Sequence, residues 1–418
     1  MAKPKLALIP ASQGTKLYSV LPADGVGDFT FSRNSAATRI NKDGLIETVA
    51  SGVSRLNYPL IDGVVNGCPS HLLEPERTQK IQYSEAFNET YWTKSGLLTP
   101  TSGFVSPKGD LSAFKLTEDS TLNNHRISVN GLIGSGTHTI SVLAKANDRN
   151  WLLIRNAANN AWFDVSNGVV GNVQSGTGSI ENYGNGWYRC SVTMSSLSTP
   201  AIGIADNNDS YSYQGDGTSG IYIFGVQVEA GSYPTSYIPN YGTAAGITRS
   251  AETANGAGDA STFNDSEGVL MAEISALEGA STLIYRFITL SDGTASNKIS
   301  IFFNQNGSLT WQLIGGLTVI SRALSVAITN NNKIAIRYNS TSAELYVNGI
   351  LADTALNGMT FSGLSTLQFR NNDGAYNFYG NTKQLQYFDS ALNDSDLETI
   401  TSWTSFTDLA NGQTYSIK

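Results

Sequence analysis

Between residues 83 and 239 the chain repeats one pattern: a run of strand length, rich in Ile, Val, Tyr and Trp, closed off by Asn, Asp, Gly or Ser. The runs are HTISVLAKA (138–146), NWLLIRNA (150–157), AWFDVSNGVV (161–170), GWYRCSVTM (186–194) and GIYIFGVQVEA (220–230). β-Branched and aromatic residues suit a pleated, half-buried surface, and no amphipathic helical stretch separates the runs. A chain punctuated in this way is expected to fold as an antiparallel sandwich. Asn167-Gly168, flanked by apolar residues, adds a hairpin signal, because both residue types tolerate the positive φ of tight turns.

A second series follows: EGVLMAEISAL (267–277), STLIYRFITL (281–290), NKISIFFNQNGSLTWQLI (297–314), NNKIAIRYNSTSAELYVNGILAD (331–353) and STLQFRNNDGAYNFYGNTKQLQYFD (365–389). Asn306-Gly307 and Asn348-Gly349 mark further hairpins. Only NDSDLETITSW (393–403) reads as a helix, capped by Asp394 or Ser395, with Leu397 and Ile400 on one face. Residues 231–260 hold Pro, Gly and small residues and few large apolar ones, as an interdomain linker does. Residues 29–49 read as short strands. The stretch to about residue 77, broken by Pro59, Pro69, Pro75 and several glycines, is expected to be extended, surface-hugging chain with few ladders.

The fold expected is therefore all-β: two antiparallel sandwiches in tandem after an extended N-terminal docking segment. The boundaries are 1–78 for that segment, 79–240 for the first sandwich, 241–262 for the linker and 263–418 for the second sandwich.

Composition narrows the function. Lys and Arg number 26 and Asp and Glu 34, so charged residues make up 14% of the 418 positions, and the net charge is −8. Solubility rests instead on Asn, Ser, Thr and 41 glycines, residues that favour turns over helix interiors. With no cluster of Lys and Arg to neutralise phosphates, no nucleic-acid partner is expected. No stretch approaches the roughly 18 apolar residues of a membrane span. The apolar run at the N-terminus stops at Pro10, too early for a signal peptide, so synthesis in a reducing cytoplasm is expected. Cys68 and Cys190 form neither a zinc pattern nor a disulfide framework.

The segments FTFSRNSAATRINKDGLIETV, YSEAFNETYWTKSG, GWYRCSVT and GIYIFGVQVEAGSYPTSYIP, in that order, resemble a set found in bacteriophage virion proteins of the tail-fibre and head-fibre type. The middle portion resembles a carbohydrate-binding-module-like jelly roll. KIAIRYNSTSAELYVNGILAD followed by FYGNTKQLQYFDSALNDSDLETIT is similar to concanavalin A-like, laminin-G-type lectin domains. The resemblance implies a non-enzymatic virion component, made in the host bacterial cytoplasm, with other virion proteins and host surface polysaccharide or glycoprotein as partners and a homotrimer as the symmetric state. Its rivals are a capsid or neck decoration protein making only protein contacts, and a polysaccharide depolymerase.

Concanavalin A-like sandwiches include glucanases with a Glu-x-Asp-x-x-Glu or similar strand. Here Glu273, Ser275 and Glu278 take comparable positions, with Ser in place of the helper Asp, and residues five apart in an unbulged strand face opposite ways. Catalysis is therefore not expected there. No catalytic or phosphate-loop motif occurs, and His71, His125 and His138 are expected to be structural. Sugars stack on aromatic faces beside hydrogen-bonding side chains. Trp151 and Trp162, next to Asn-rich loops and Arg149, and Tyr211 and Tyr213, in a polar loop, are the carbohydrate-binding candidates. No metal is required, but lectin-like sandwiches often carry calcium, for which Asp206, Asp209, Asp292 and Asp373 supply candidate oxygens.

Overall fold

The computed structural model describes residues 2–131, 134–279, 285–356 and 359–403. They form antiparallel sheets throughout, with Asp394–Thr401 the single α-helix among them. The first four residues of the expected run 281–290, and everything after residue 403, lie outside the described residues.

The middle sandwich packs two six-stranded sheets. One runs, in spatial order, Thr93–Ser95, His125–Ser128, Pro200–Ala205, Trp151–Asn156, Asn159–Asp164, Val169–Val173. The other runs Thr101–Phe104, Ala113–Thr117, Gly220–Ala230, Gly134–Lys145, Trp187–Leu197, Thr177–Gly184. Alternation decides what each strand buries. Ile127, Ile154, Phe163 and Ile202 point inward against Leu116, Ile140, Val192 and Ile221 of the facing sheet. In the strand Trp187–Leu197, Cys190 enters this core, while Trp187 and Arg189 take the opposite face, as the period of two requires. The hairpin at Asn167-Gly168 forms through a four-residue connection, in which Gly168 alone takes a positive φ of 68°.

The second sandwich packs a five-stranded sheet on an eleven-stranded one. Leu270, Ala272 and Ile274 of the strand Gly268–Ala276 meet Ile288, Ile299, Ile301, Trp311 and Leu313 across the core. At Asn348-Gly349, φ values of 52° and 87° join Ala343–Val347 to Ile350–Ala355 as the two-residue hairpin expected from the sequence.

The N-terminal segment departs from expectation. Leu6–Gln13, Lys16–Leu21 and Phe29–Ser32 are consecutive strands of the eleven-stranded sheet, with Leu6–Gln13 paired to Gly380–Phe388. Leu6, Leu8, Leu17, Phe29 and Phe31 are fully buried in the second sandwich's core, which explains why they leave the surface. The next hairpin, Ala37–Ile40 with Ile46–Val49, lies against the other sandwich, its Ile40 and Ile46 packed on Leu143, Trp187 and Phe224. Rather than running as surface-hugging chain with few ladders, the segment clasps both sandwiches. Residues 241–262, which connect the two sandwiches, are themselves paired: Ile247–Arg249 with Arg77–Gln79, and Thr253–Asn255 with Phe29–Ser32. Their small residues allow close approach, and Ala254 and Ala257 are fully buried.

Five charged side chains lock this junction. Glu252 accepts from Arg33 Nη1 at 2.6 Å and from Arg55 Nε at 2.9 Å. Glu74 pairs with Arg55 Nη1 and Arg249 Nη1, each at 2.8 Å, and accepts from the Ser236 amide at 2.8 Å. All five residues are buried. The three histidines are held apart in structural settings, as expected: His71 Nδ1 lies 3.3 Å from Ser54 Oγ, His125 between the Gly96 and Tyr213 carbonyls, and His138 Nε2 2.8 Å from Lys80 Nζ.

Candidate functional site

The strand Gly268–Ala276 presents two kinds of outward residue. At one end Val269 and Met271 pack with Tyr346, Phe388, Leu392 and Leu397 under the helix Asp394–Thr401. That helix is capped by neither Asp394 nor Ser395 but by Asn393, whose side chain accepts from the Asp396 amide at 2.9 Å. At the other end the outward residues are Glu273 and Ser275, both largely buried, on the floor of a groove of about 620 Å3.

The groove floor continues into Lys333 on one neighbouring strand and Asn381, Lys383 and Gln384 on the other. Glu273 pairs with Gln384 and Ile274 with Thr382, so Lys383 is the extra residue of a bulge, a device that re-aims side chains. One wall is Ile9, Pro10 and the turn around Pro59 and Cys68; the other is Asn331 and Trp403. Glu273 accepts from Asn331 Nδ2 and from Gln384 Nε2, both at 2.6 Å, and Gln386 Nε2 donates to Gln384 Oε1 at 2.6 Å. Lys333 Nζ donates to the Ser402 carbonyl at 2.9 Å and sits 4.8 Å from the centre of the Trp403 ring. The result is a row of amide and carboxylate groups, donors and acceptors alternating, beside an indole.

Of the three residues compared with a glucanase strand, Glu273 and Ser275 face this groove and Glu278 does not. Glu278 accepts from Arg286 Nη2 at 3.0 Å and from the Ser232 hydroxyl, where the two sandwiches touch. Glu273 is the sole carboxylate among the described lining residues, whereas paired-carboxylate hydrolysis needs two about 5–9.5 Å apart.

The sequence-predicted sugar platforms on the middle sandwich fare unevenly. Trp151 and Tyr211 are half-buried and pack on one small outer cluster with Leu153, Trp162 and Ala205. Trp162 is fully buried, its Nε1 donating to the Ser210 carbonyl at 2.7 Å: the 206–211 loop folds over it. Tyr213 is buried because Tyr213–Gln214 pairs with Leu122–Asn123, drawing the ring inward. Its hydroxyl donates to Glu118 at 2.6 Å, and burial together with that carboxylate pushes the phenol's pKa well up. Arg149 grips the same carboxylate through Nε at 3.0 Å and Nη2 at 2.5 Å. Trp162, Tyr213 and Arg149 therefore hold the strand ends together and present no sugar platform. The sequence reading missed the groove, because its walls come from residues more than 300 positions apart.

The calcium candidates fall in separate places. Asp209 accepts from Asn172 Nδ2 at 2.8 Å, and Asp206 from Asn207 Nδ2 at 3.3 Å, on the middle sandwich. On the other sandwich Asp292 closes a turn onto the Thr294 amide at 2.7 Å, and Asp373 onto the Ala375 amide at 2.9 Å. No three His, Cys, Asp or Glu residues among those described gather as a cation site.

Residues 273–398 match the family model of the concanavalin A-like lectin/glucanases superfamily, of laminin G type. Among solved structures, the chain is similar to the CBM40 of the Ruminococcus gnavus IT-sialidase (17% identity, 35% of this chain, 94% of that one, TM-score 0.30). It is also similar to domain 4 of AbnA, a GH43 extracellular arabinanase from Geobacillus stearothermophilus (12% identity, 36% and 73% covered, TM-score 0.30). A third is the SAP-like pentraxin of Limulus polyphemus (14% identity, 34% and 71% covered, TM-score 0.27). No curated protein matches the sequence.

Proposed function

We propose that the chain is a glycan-binding, non-hydrolytic component of a bacteriophage virion, a fibre or spike subunit that takes host surface polysaccharide into the groove over Glu273. The observation that carries this reading is the Gln386–Gln384–Glu273–Asn331 row within the lectin-type match, since alternating donors and acceptors suit sugar hydroxyls and Trp403 offers a face for a pyranose ring. Support for the virion setting comes from the segments 29–49, 83–96, 186–193 and 220–239, quoted above for their likeness to phage fibre proteins.

Glycan-array and calorimetric titration of the purified chain against bacterial surface polysaccharides tests the binding. The double variant Asn331→Ala, Gln384→Ala is expected to weaken it at least tenfold, with no new reducing ends released by either protein. Undiminished binding would place the ligand elsewhere, and release of reducing ends would restore the depolymerase reading. Labelled antibody on intact virions tests the location.

The partner in the proposed trimer is a second copy, docked at one side of the second sandwich. Thr318–Leu324 and Ile350–Ala355 are edge strands of its two sheets, joined by Arg322–Asp353 at 2.9 Å. They expose Val319, Ile350 and Leu351, with Leu317 in the turn just before Thr318, beside unpaired backbone groups. Light scattering of Val319→Lys, Leu351→Lys protein is expected to show monomer where the parent shows trimer.

A further inference from the structure

Arg33, Arg55, Arg149, Arg249, Arg286 and Arg337 each have a carboxylate within 3.0 Å. Arg126 and Arg155, on the outer face of the middle sandwich, have none among the described residues. They sit on strands either side of Pro200–Ala205, Arg126 opposite Gly203 and Arg155 opposite Ala201, so nothing larger than a methyl group rises between them. Gly203 is needed for this: a Cβ there would stand 3.0 Å from Arg126 Cβ and 2.8 Å from the His125 carbonyl oxygen.

Tyr211 holds both guanidiniums. Its hydroxyl accepts from Arg126 Nη1 at 2.6 Å and from Asn124 Nδ2 at 3.0 Å, while Arg155 Cζ lies 4.4 Å from the ring centre. Arg126 Nε is shielded from water and has no acceptor among the described residues. Burial, and then the charge of Arg126 against the opposing influence of Tyr211, lowers the Arg155 pKa. Two cations held together without a counter-charge leave an unmet demand for an anion, and guanidinium forks match the two oxygens of a carboxylate.

We propose that Arg126, Arg155 and Tyr211 form a second binding site, for the carboxylate of an acidic sugar residue within a polysaccharide. Trp151, half-buried four residues before Arg155 on the same face, offers a stacking surface for the neighbouring sugar. That the anion is carried by a glycan rests on the proposed function, but the site lies on the other sandwich from the groove, so the two fail separately.

The test titrates the full chain with an oligogalacturonate, its methyl ester and inorganic phosphate. The acid oligomer is expected to bind, more weakly as salt rises, and the ester at least tenfold more weakly. Arg155→Gln and Arg126→Gln should each cut acid binding at least tenfold, while Asn331→Ala, Gln384→Ala leaves it unchanged. Tyr211→Phe, which keeps the ring and frees Arg126, should weaken binding severalfold and guards against misfolding of the arginine variants. Equal binding of acid and ester, insensitivity to Arg155→Gln, or phosphate competing as well as the acid sugar would each overturn the proposal. Loss of neutral-glycan binding in the groove variant alone would bear only on the groove.

Discussion

Glu74 and His71 lie three residues apart, both buried, and they respond to acid in different ranges. Burial alone would raise the Glu74 carboxyl, but Arg249, Arg55 and the Ser236 hydrogen bonds outweigh it and hold the pKa down to about 2, from 4.5. Burial brings His71 from 6.5 to about 4. Both groups have folded-state values below their unfolded ones. The stability His71 contributes is thus complete above about pH 6.5 and lost as pH falls towards 4, and that of Glu74 is complete above about 4.5 and lost towards 2. Denaturant titrations are expected to show two successive losses on acidification, the first about 3 kcal/mol and absent in His71→Gln. A stability profile flat from pH 7 to 4 in the parent would refute the His71 assignment. The two thiols give a second residue-scale test. Burial pushes the Cys190 thiol well up, whereas Cys68 is exposed on the groove wall. Maleimide is expected to label one thiol in the native protein and two after denaturation, and a bound polysaccharide should slow labelling of Cys68.

At the scale of elements, what the sequence made legible was local. The period of two in 186–194 puts Cys190 and Trp187 on opposite faces, each buried in a different cluster, and Asn348-Gly349 marks its hairpin, because both signals act between near neighbours in the chain. The role of residues 1–78 was illegible for the opposite reason. Leu6–Gln13 finds its partner in Gly380–Phe388, and a short apolar strand carries no mark of which distant edge it will pair with. The same distance hid the groove, while Glu273 was noticed only through its spacing to Glu278, which turns elsewhere. Tyr211 was legible as an aromatic in a polar loop, though it is half-buried; the arginines beneath it were not, since their lack of counter-charge exists only in three dimensions. Removing residues 2–32 would uncover the edge of Gly380–Phe388 and strip Leu6, Leu8, Leu17, Phe29 and Phe31 from the core. The truncated chain is expected to aggregate, with its second sandwich open to proteolysis and its middle sandwich resistant; a soluble protein with the parent's melting temperature would contradict this.

For the whole molecule the decisive region is the junction. Among the described residues the core between the middle sandwich's two sheets begins at Ile81, the clasp touching only its outer face through Ile40 and Ile46, whereas the second sandwich's core begins at Leu6, so the two differ in how much they depend on the clasp. Arg33, Arg55 and Glu74 from the clasp meet Arg249 and Glu252 from the connecting chain, and three guanidiniums depend on two carboxylates in a space closed to water. Removing one partner of a buried ion pair costs about 3–5 kcal/mol, because the remaining charge has neither water nor counter-charge. The parent is expected to unfold in one calorimetric transition, since both sandwiches share the strands and charges of the junction. Glu252→Gln keeps the side-chain shape but leaves Arg33 and Arg55 under-neutralised. It should split that transition, the second sandwich melting earlier and the middle sandwich, with its own closed core, melting close to the parent temperature. A single transition at an unchanged temperature would mean that the charged junction does not couple the two halves.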